Sequence, residues 1–173
     1  MTDDFYVSRL DPKLHVADFQ ALYERCSDYH QLEFGVPTLP TAAADDLAYP
    51  NGENYGIYSQ RSELIGALEL LRNHPKPDEW WIGLLMFDPR ARGRGLGTRV
   101  CKSTFEWIAR EGGRAVWLAV LEHNERAQRF WKSVGFVEKE RQDYVSRNGH
   151  QSRVILMKID LLEGRTPSSA PGA

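Results

Sequence analysis

Seven consecutive residues, Arg92-Gly93-Arg94-Gly95-Leu96-Gly97-Thr98, carry the clearest chemical signal in the sequence. Glycine at every second position lets a backbone approach a ligand without Cβ collisions and adopt positive φ. The stretch lies between an apolar run, Trp80–Phe87, and an amphipathic segment, Gly95–Glu111, so it opens a helix. The unpaired N–H groups of a helix start converge on one point, and the helix dipole favours an anion there. Arg92 and Arg94 add charge-assisted donors, and the combination suits a pyrophosphate. A P-loop would need Gly-Lys-Ser/Thr, whereas Gly97-Thr98-Arg99 has no lysine. A dinucleotide fingerprint would need G-x-G-x-x-G after a first strand, whereas these glycines run G-x-G-x-G after a fourth; only the acidic residue ending the next strand, Glu122, is in place. An Arg/Gly-rich turn that merely joins strand to helix would be spelled the same way.

The elements that must hold this loop follow from hydrophobic periodicity. Phe5–Arg9 reads as a short strand. Asp11-Pro12 offers a helix start, with Val16, Phe19, Leu22, Tyr23 and Cys26 on one face. From Asp28 to Asn54 prolines and Asn51-Gly52 interrupt the pattern, which suggests a loop carrying a short helix over Thr41–Ala48. Tyr55–Ser59 and Glu63–Leu71 form a hairpin, and Trp80–Phe87, apolar on both faces, is a central strand. The Gly95–Glu111 helix turns Leu96, Val100, Thr104, Phe105 and Ile108 inward, and Ala115–Leu121 is a second buried strand. Asn124 caps a helix with Ala127, Phe130, Trp131 and Val134 inward and Gly135 at its end. Asn148-Gly149 closes a hairpin between Phe136–Ser146 and Gln151–Leu161. The order β-α-α-β-β-β-α-β-α-β-β is that of an α/β fold with a mixed sheet.

At 173 residues, 42% apolar and 27% charged, the chain has the size and balance of one soluble domain, assigned to residues 1–163, with a small polar tail, 164–173, expected to be disordered. A net charge of −2 gives no case for nucleic acid as partner. The longest apolar run is too short for a bilayer, and no apolar signal core follows Met1-Thr2-Asp3-Asp4. Cys26 and Cys101 have no metal-ligand spacing. The expectation is a cytoplasmic protein with reduced thiols, bound to neither membrane nor metal. It is a monomer, or a homodimer if strands of the late hairpin pair.

The sequence resembles the GNAT (GCN5-related N-acetyltransferase) superfamily over roughly residues 5 to 161. The R/Q-x-x-G-x-G/A motif of that family is matched by Arg92, Gly95 and Gly97, and a second motif by Asn124, Ala127, Phe130, Gly135 and Phe136. The resemblance implies a GNAT fold: about seven strands, splayed between strands 4 and 5 and flanked by about four helices. It further implies acetyl-CoA as acetyl donor and direct transfer to a primary amine of a small molecule or peptide in a ternary complex. By the same resemblance, backbone groups of Leu85, Met86 and Phe87 hold the pantetheine arm, with an N–H near Leu85 polarising the thioester carbonyl. Arg92, Gly93, Arg94, Gly95, Leu96, Gly97 and Thr98 hold the pyrophosphate, and Asn124 bonds the pantetheine or phosphate region.

Two positions depart from that pattern. Many family members carry a glutamate base on the fourth strand, where this chain has Trp81, and a tyrosine acid where it has Trp131. An indole N–H cannot release a proton near neutral pH. A thiolate with a pKa near ~8.5 leaves without obligatory protonation, so the missing acid lowers rate rather than abolishing it. An ε-amine, at ~10.4, needs a base far more than an α-amine at ~7.7–8.0. Either the acceptor is a low-pKa amine or another residue is the base. Candidates are Glu69, which interrupts an apolar strand, and Asp88, Glu122 and His123 at strand ends; Tyr144 is a candidate acid. The resemblance places the acceptor among Tyr29, His30, Glu33 and Phe34, with Trp80 or Trp81 as a wall, although an aromatic cluster under a loop also reads as satellite core. A fold that binds acyl-CoA with little turnover is the alternative.

Overall fold

The computed structural model describes residues 5–161; the acidic start and the expected polar tail lie outside the described residues. Seven strands form one sheet in the order β1-β2-β3-β4-β5-β7-β6. They are β1 (Phe5–Arg9), β2 (Gly52–Ser59), β3 (Leu64–Arg72), β4 (Glu79–Phe87), β5 (Ala115–Leu121), β6 (Val137–Val145) and β7 (Gln151–Asp160). Five helices flank them: α1 (Val16–Arg25), α2 (Ser27–Phe34), α3 (Ala42–Leu47), α4 (Leu96–Arg110) and α5 (Glu125–Ser133). No described helix is long and apolar enough to cross a membrane.

Two details differ from the sequence expectation. The helix does not begin at Asp11-Pro12, because the Asp11 carboxylate accepts from the N–H groups of Lys13 and Leu14, at 2.7 and 3.2 Å, and closes a turn ahead of α1. A fifth helix, α2, stands where a loop was expected. It buries His30 and Phe34 rather than an aliphatic stripe, and Gly35, at φ +69, ends it.

Strand neighbours are antiparallel except β4 and β5. That parallel pair runs from Glu79↔Ala115 to Ile82↔Leu118 and stops, so the two strands separate over their C-terminal halves. A bulge sets what β4 presents beyond this point. Leu70 pairs with Ile82 but Glu69 with Leu84, which leaves Gly83 without a partner. One extra residue reverses the facing of everything after it. Trp80 and Ile82 accordingly pack with α4 and Trp131, whereas Leu84 and Met86 pack with Phe19, Leu22 and Ala43 of α1 and α3. A Cβ on Gly83 would collide with Oε2 of Glu69.

Candidate active site

The separation of β4 and β5 opens a cleft of about 570 Å³. Leu85, Met86 and Phe87 form one side, Asn124, Ala127, Phe130 and Trp131 the other, and the loop from Ala91 to Thr98 closes the end. Hydrogen-bond parity determines the strand's open groups. Asp88 N–H donates to Ile65 O at 2.9 Å, which makes Gly66/Phe87 and Leu68/Leu85 non-bonded pairs. Leu85 and Phe87 therefore turn their backbone N–H and C=O away from β3, toward a β5 that no longer pairs. The Phe87 carbonyl is taken by Arg92 Nε at 2.8 Å and by Cys26 Sγ at 3.4 Å. Leu85 N–H and C=O and Phe87 N–H face the cleft.

The loop supplies the cradle its glycines suggested. Gly93 and Gly95 have φ of +78 and +73, and Gly95 is the N-cap of α4. At Gly97 the limit is space, since a Cβ would lie 3.1 Å from the Phe130 ring. Asn124 caps α5 by accepting from Ala127 N–H at 3.1 Å while it lines the cleft. Arg92 lines the cleft, but its guanidinium is engaged within the protein. Its guanidinium grips the carboxylate of Asp28 with Nη1 and Nη2, the latter at 3.1 Å, and holds α2 against the end of β4. That contact also keeps the Asp28 carboxyl below the usual range. Arg94 is exposed and outside the cleft lining, whereas Arg126, which the sequence reading passed over, lines it.

On the opposite face of β3 and β4 lies a polar chamber. Glu69 sits over the bulge, its carboxylate against Gly83 and Gly52. Burial, then Asp46 and Glu33, push its pKa up to about 7, against the lowering pull of Arg147. The Glu33 carboxyl is raised by burial, although Tyr29 hydrogen-bonds it and Tyr144 Oη donates to it at 3.1 Å. Asp46 accepts from Tyr23 Oη and from Arg147 Nη2, the latter at 2.6 Å. His30 is buried among Tyr23, Tyr29 and Phe34 with neither ring nitrogen bonded, and burial holds its pKa low. Tyr29 lines the cleft as well and hydrogen-bonds Glu33, so it is the side chain at which cleft and chamber meet.

A sequence model of the Acetyltransferase (GNAT) family matches residues 16–136, well over half of the chain. The chain belongs to the GNAT acetyltransferase family. A Mycobacterium leprae protein, the uncharacterized ML0378, is 28% identical over 142 residues, 76% of this chain and 39% of the relative. An uncharacterized N-acetyltransferase of Methanocaldococcus jannaschii, MJ1207, is 41% identical over 56 residues, 32% of this chain and 25% of the relative. The chain thus spans well under half the length of either. Among solved structures, a probable GNAT acetyltransferase from Chromobacterium violaceum superposes with a TM-score of 0.78 at 16% identity, covering 94% of this chain and 86% of that one. Spermidine N-acetyltransferase from Vibrio cholerae, solved with CoA and spermine, gives 0.69 at 16% identity, covering 91% and 95%. These likenesses show the shared fold.

Within a GNAT fold the proton-transfer candidates separate clearly. Trp81 faces Trp117 in the closed half of β4 and packs edge-on against His74, so it is no wall of the chamber; Trp80 lies in the core beneath Arg72. Asp88 is 1% exposed and held by Arg90 and Arg25, which keep its carboxyl well below the usual range and remove it as a base. Glu122 pairs with Arg141 at 2.6 Å and Arg153 at 3.7 Å, beside a separate cavity of about 770 Å³. His123 Nε2 lies 3.3 Å from Leu32 O. The Tyr144 phenol, raised by burial, is spent on Glu33. Trp131 lines the cleft where the family's tyrosine would stand. Of the candidate carboxylates, Glu69 joins the chamber without an ion-pair partner. Asp46, Asn54 and Arg147 also shape the chamber, and the sequence reading missed them, since an acid, an amide and a turn arginine carry no local signal.

Proposed function

We propose that this chain transfers the acetyl group of acetyl-CoA to a primary amine by direct attack in a ternary complex, with Glu69 as general base. The open backbone of Leu85 and Phe87 beside a glycine-shaped helix start fits a pantetheine arm ending in a pyrophosphate. Leu85, Met86 and Phe87 would hold the arm, and the N–H groups of residues 93–98 the phosphates, with Thr98 and Asn124 as side-chain donors. Arg94 and Arg126 would add charge at the rim, while Arg92 fixes the floor. When bound, acetyl-CoA supplies an activated acyl thioester. The Leu85 N–H, fixed before any substrate arrives, is the oxyanion donor.

One observation carries the base assignment. Glu69 pairs with Leu84, next to Leu85, and its carboxylate lies over the bulge at Gly83, two residues before Leu85. With a pKa of about 7 it is half ionised at neutrality, matched to accepting an amine proton. An ordinary lysine-like amine thus becomes a feasible acceptor, as does an α-amine. Solved structures that share this fold include enzymes acting on spermidine and on ribosomal protein S18 alanine, which supports an amine acceptor without choosing between small molecule and peptide.

Thiol release from acetyl-CoA against a panel of amines, from pH 6 to 9, tests the proposal. Turnover that rises through pH 7 with one amine class supports it. Trp131 in the acid's place favours a second reading, an acyl-CoA-binding module with little turnover. Tight acetyl-CoA binding with no amine-dependent release would select that reading.

A further inference from the structure

The sheet has two edges, and they are built differently. β6 forms one of them, and five of its nine residues, Glu138, Lys139, Glu140, Arg141 and Asp143, are charged. Its pairing with β7 also skips Lys139, since Glu138 pairs with Met157 and Glu140 with Leu156, so a bulge interrupts that edge. Charge and bulges are devices that keep an edge strand from adding another strand. β1, at the other edge, carries no bulge against β2 and only one charge, Arg9 at its end. Tyr6 and Val7 in its middle are 45% and 41% exposed.

Hydrogen-bond parity shows what the β1 edge offers. Leu10 N–H donates to Asn54 O at 2.8 Å, one step beyond the Arg9↔Tyr55 pair. Counting back by twos, Ser8 and Tyr6 bond β2, and Phe5, Val7 and Arg9 turn their N–H and C=O outward. These open groups are symmetric about Val7. A second β1, antiparallel across a two-fold axis at Val7, meets all of them: Val7 bonds Val7, and Phe5 of each copy bonds Arg9 of the other. Any other two-fold register leaves at least one of the three residues without a counterpart in β1.

The side chains suit the same register. Each Arg9 lies opposite Phe5 rather than a second cation, and the two Arg9 residues stand four residues apart along the ribbon, about 13 Å, beyond the screening length of ~8 Å at physiological salt. Tyr6, stacked on Tyr58 with ring centroids 5.1 Å apart, lies opposite Ser8, whose small side chain leaves room for the ring. The centre is apolar and the charges are at the rim, as in other interfaces.

We propose that β1 is an interface to a second copy of this chain, the two strands pairing antiparallel about Val7 and joining two seven-stranded sheets. β2 and β3 separate β1 from β4, so the cleft stays open in both copies. The assignment goes beyond acetyl transfer and does not depend on it.

Two short strands make a small interface, so a Kd of about 10–500 µM is expected. Sedimentation velocity of the full chain across that range should show a monomer passing to a dimer. Val7→Lys, which sets two cations on the axis, should weaken the dimer at least about tenfold, whereas Val145→Lys on β6 should leave it unchanged. Val7 is exposed, so the dilute variant should melt as the wild type does. Residue-resolved amide exchange reads the register: at high concentration Phe5, Val7 and Arg9 should slow, while Tyr6 and Ser8, already bonded to β2, should not change. Under mild oxidation Val7→Cys should crosslink to itself and Tyr6→Cys should not; the native Cys26 and Cys101 are buried. A monomer throughout that range, a dimer broken by Val145→Lys but not by Val7→Lys, association that slows none of the three amides, or equal crosslinking by the two cysteine variants overturns the proposal.

Discussion

Replacing Glu69 with glutamine tests the base most directly, because it keeps the side chain's shape against Gly52 and Gly83 and removes only its proton affinity. The groups facing Glu69 are Asp46 and Glu33, which raise its pKa, and Arg147, which lowers it, and burial exceeds all three; the outcome is about 7. Roughly a tenth of the molecules then carry ionised Glu69 at pH 6 and nine-tenths at pH 8. With a lysine-like amine, wild-type kcat/KM should climb with unit slope up to pH 7 because of Glu69, on top of the amine's own deprotonation. Glu69→Gln should lose about 10²–10³ in kcat at pH 8 and lose the inflection near 7. Linkage gives a second readout. The folded pKa lies above that of a free glutamate, ~4.3, so the native state holds the extra proton, and stability falls as pH rises from there through 7. The shift would correspond to at most ~4 kcal/mol, and water access to a half-buried group reduces it to roughly 1–2 kcal/mol. Glu69→Gln should therefore melt about 2–6 °C higher than wild type at pH 8, with little difference at pH 4. A variant within threefold of wild-type activity that keeps the inflection at 7 would refute the assignment, and an unchanged Tm at pH 8 would refute the electrostatics behind it.

Three further substitutions probe the parts that position this chemistry. Gly83→Ala puts a methyl against Glu69 Oε2; kcat should drop at least about tenfold while the Kd for coenzyme A, by calorimetry, stays within about twofold. Gly95→Ala has open space around its Cβ but must hold φ at +73; the cost is backbone strain of ~1–2 kcal/mol, seen as a lower Tm and about tenfold weaker coenzyme A binding. Arg92→Ala unties Asp28, and with it α2, from the Phe87 carbonyl at the end of β4; a loss of about 2–3 kcal/mol in urea unfolding is expected, and Arg92→Lys should recover little of it because a single ammonium cannot reproduce the fork.

The glycine loop of the proposed cofactor site was legible in the sequence because it is local. Residues 92–98 are contiguous, their glycines declare their backbone needs, and Gly95 and Gly97 take the conformation and the close approach that the spacing suggested. The open edge of Leu85 and Phe87 was legible only through the family resemblance, since Trp80–Phe87 is apolar throughout and nothing in such a run reveals a reversal of facing. Gly83 is the one mark the bulge leaves, and a lone glycine in a strand has several readings. Arg92 shows the limit of a motif: its residue type was legible, but its partner, Asp28, lies 64 residues away in a helix the periodicity did not reveal.

The acceptor half was illegible for a different reason. Asp46, Asn54, Glu69 and Arg147 each suit an ordinary surface or loop position, and only the register of β2 on β3 and the reach of the β6–β7 turn bring them together. The bulge then connects the two halves. Without it, Leu85 and Phe87 would exchange places with Leu84 and Met86: the apolar pair that covers α1 and α3 would face the cleft, and the Leu85 N–H would bond β3. An extra residue at Gly83 opens the N–H to the donor and, having no Cβ, leaves room for the carboxylate of Glu69. The proposed oxyanion donor and base are thus set by the same residue, and a mutation that straightens β4 should abolish both functions together, whereas Glu69→Gln removes only one.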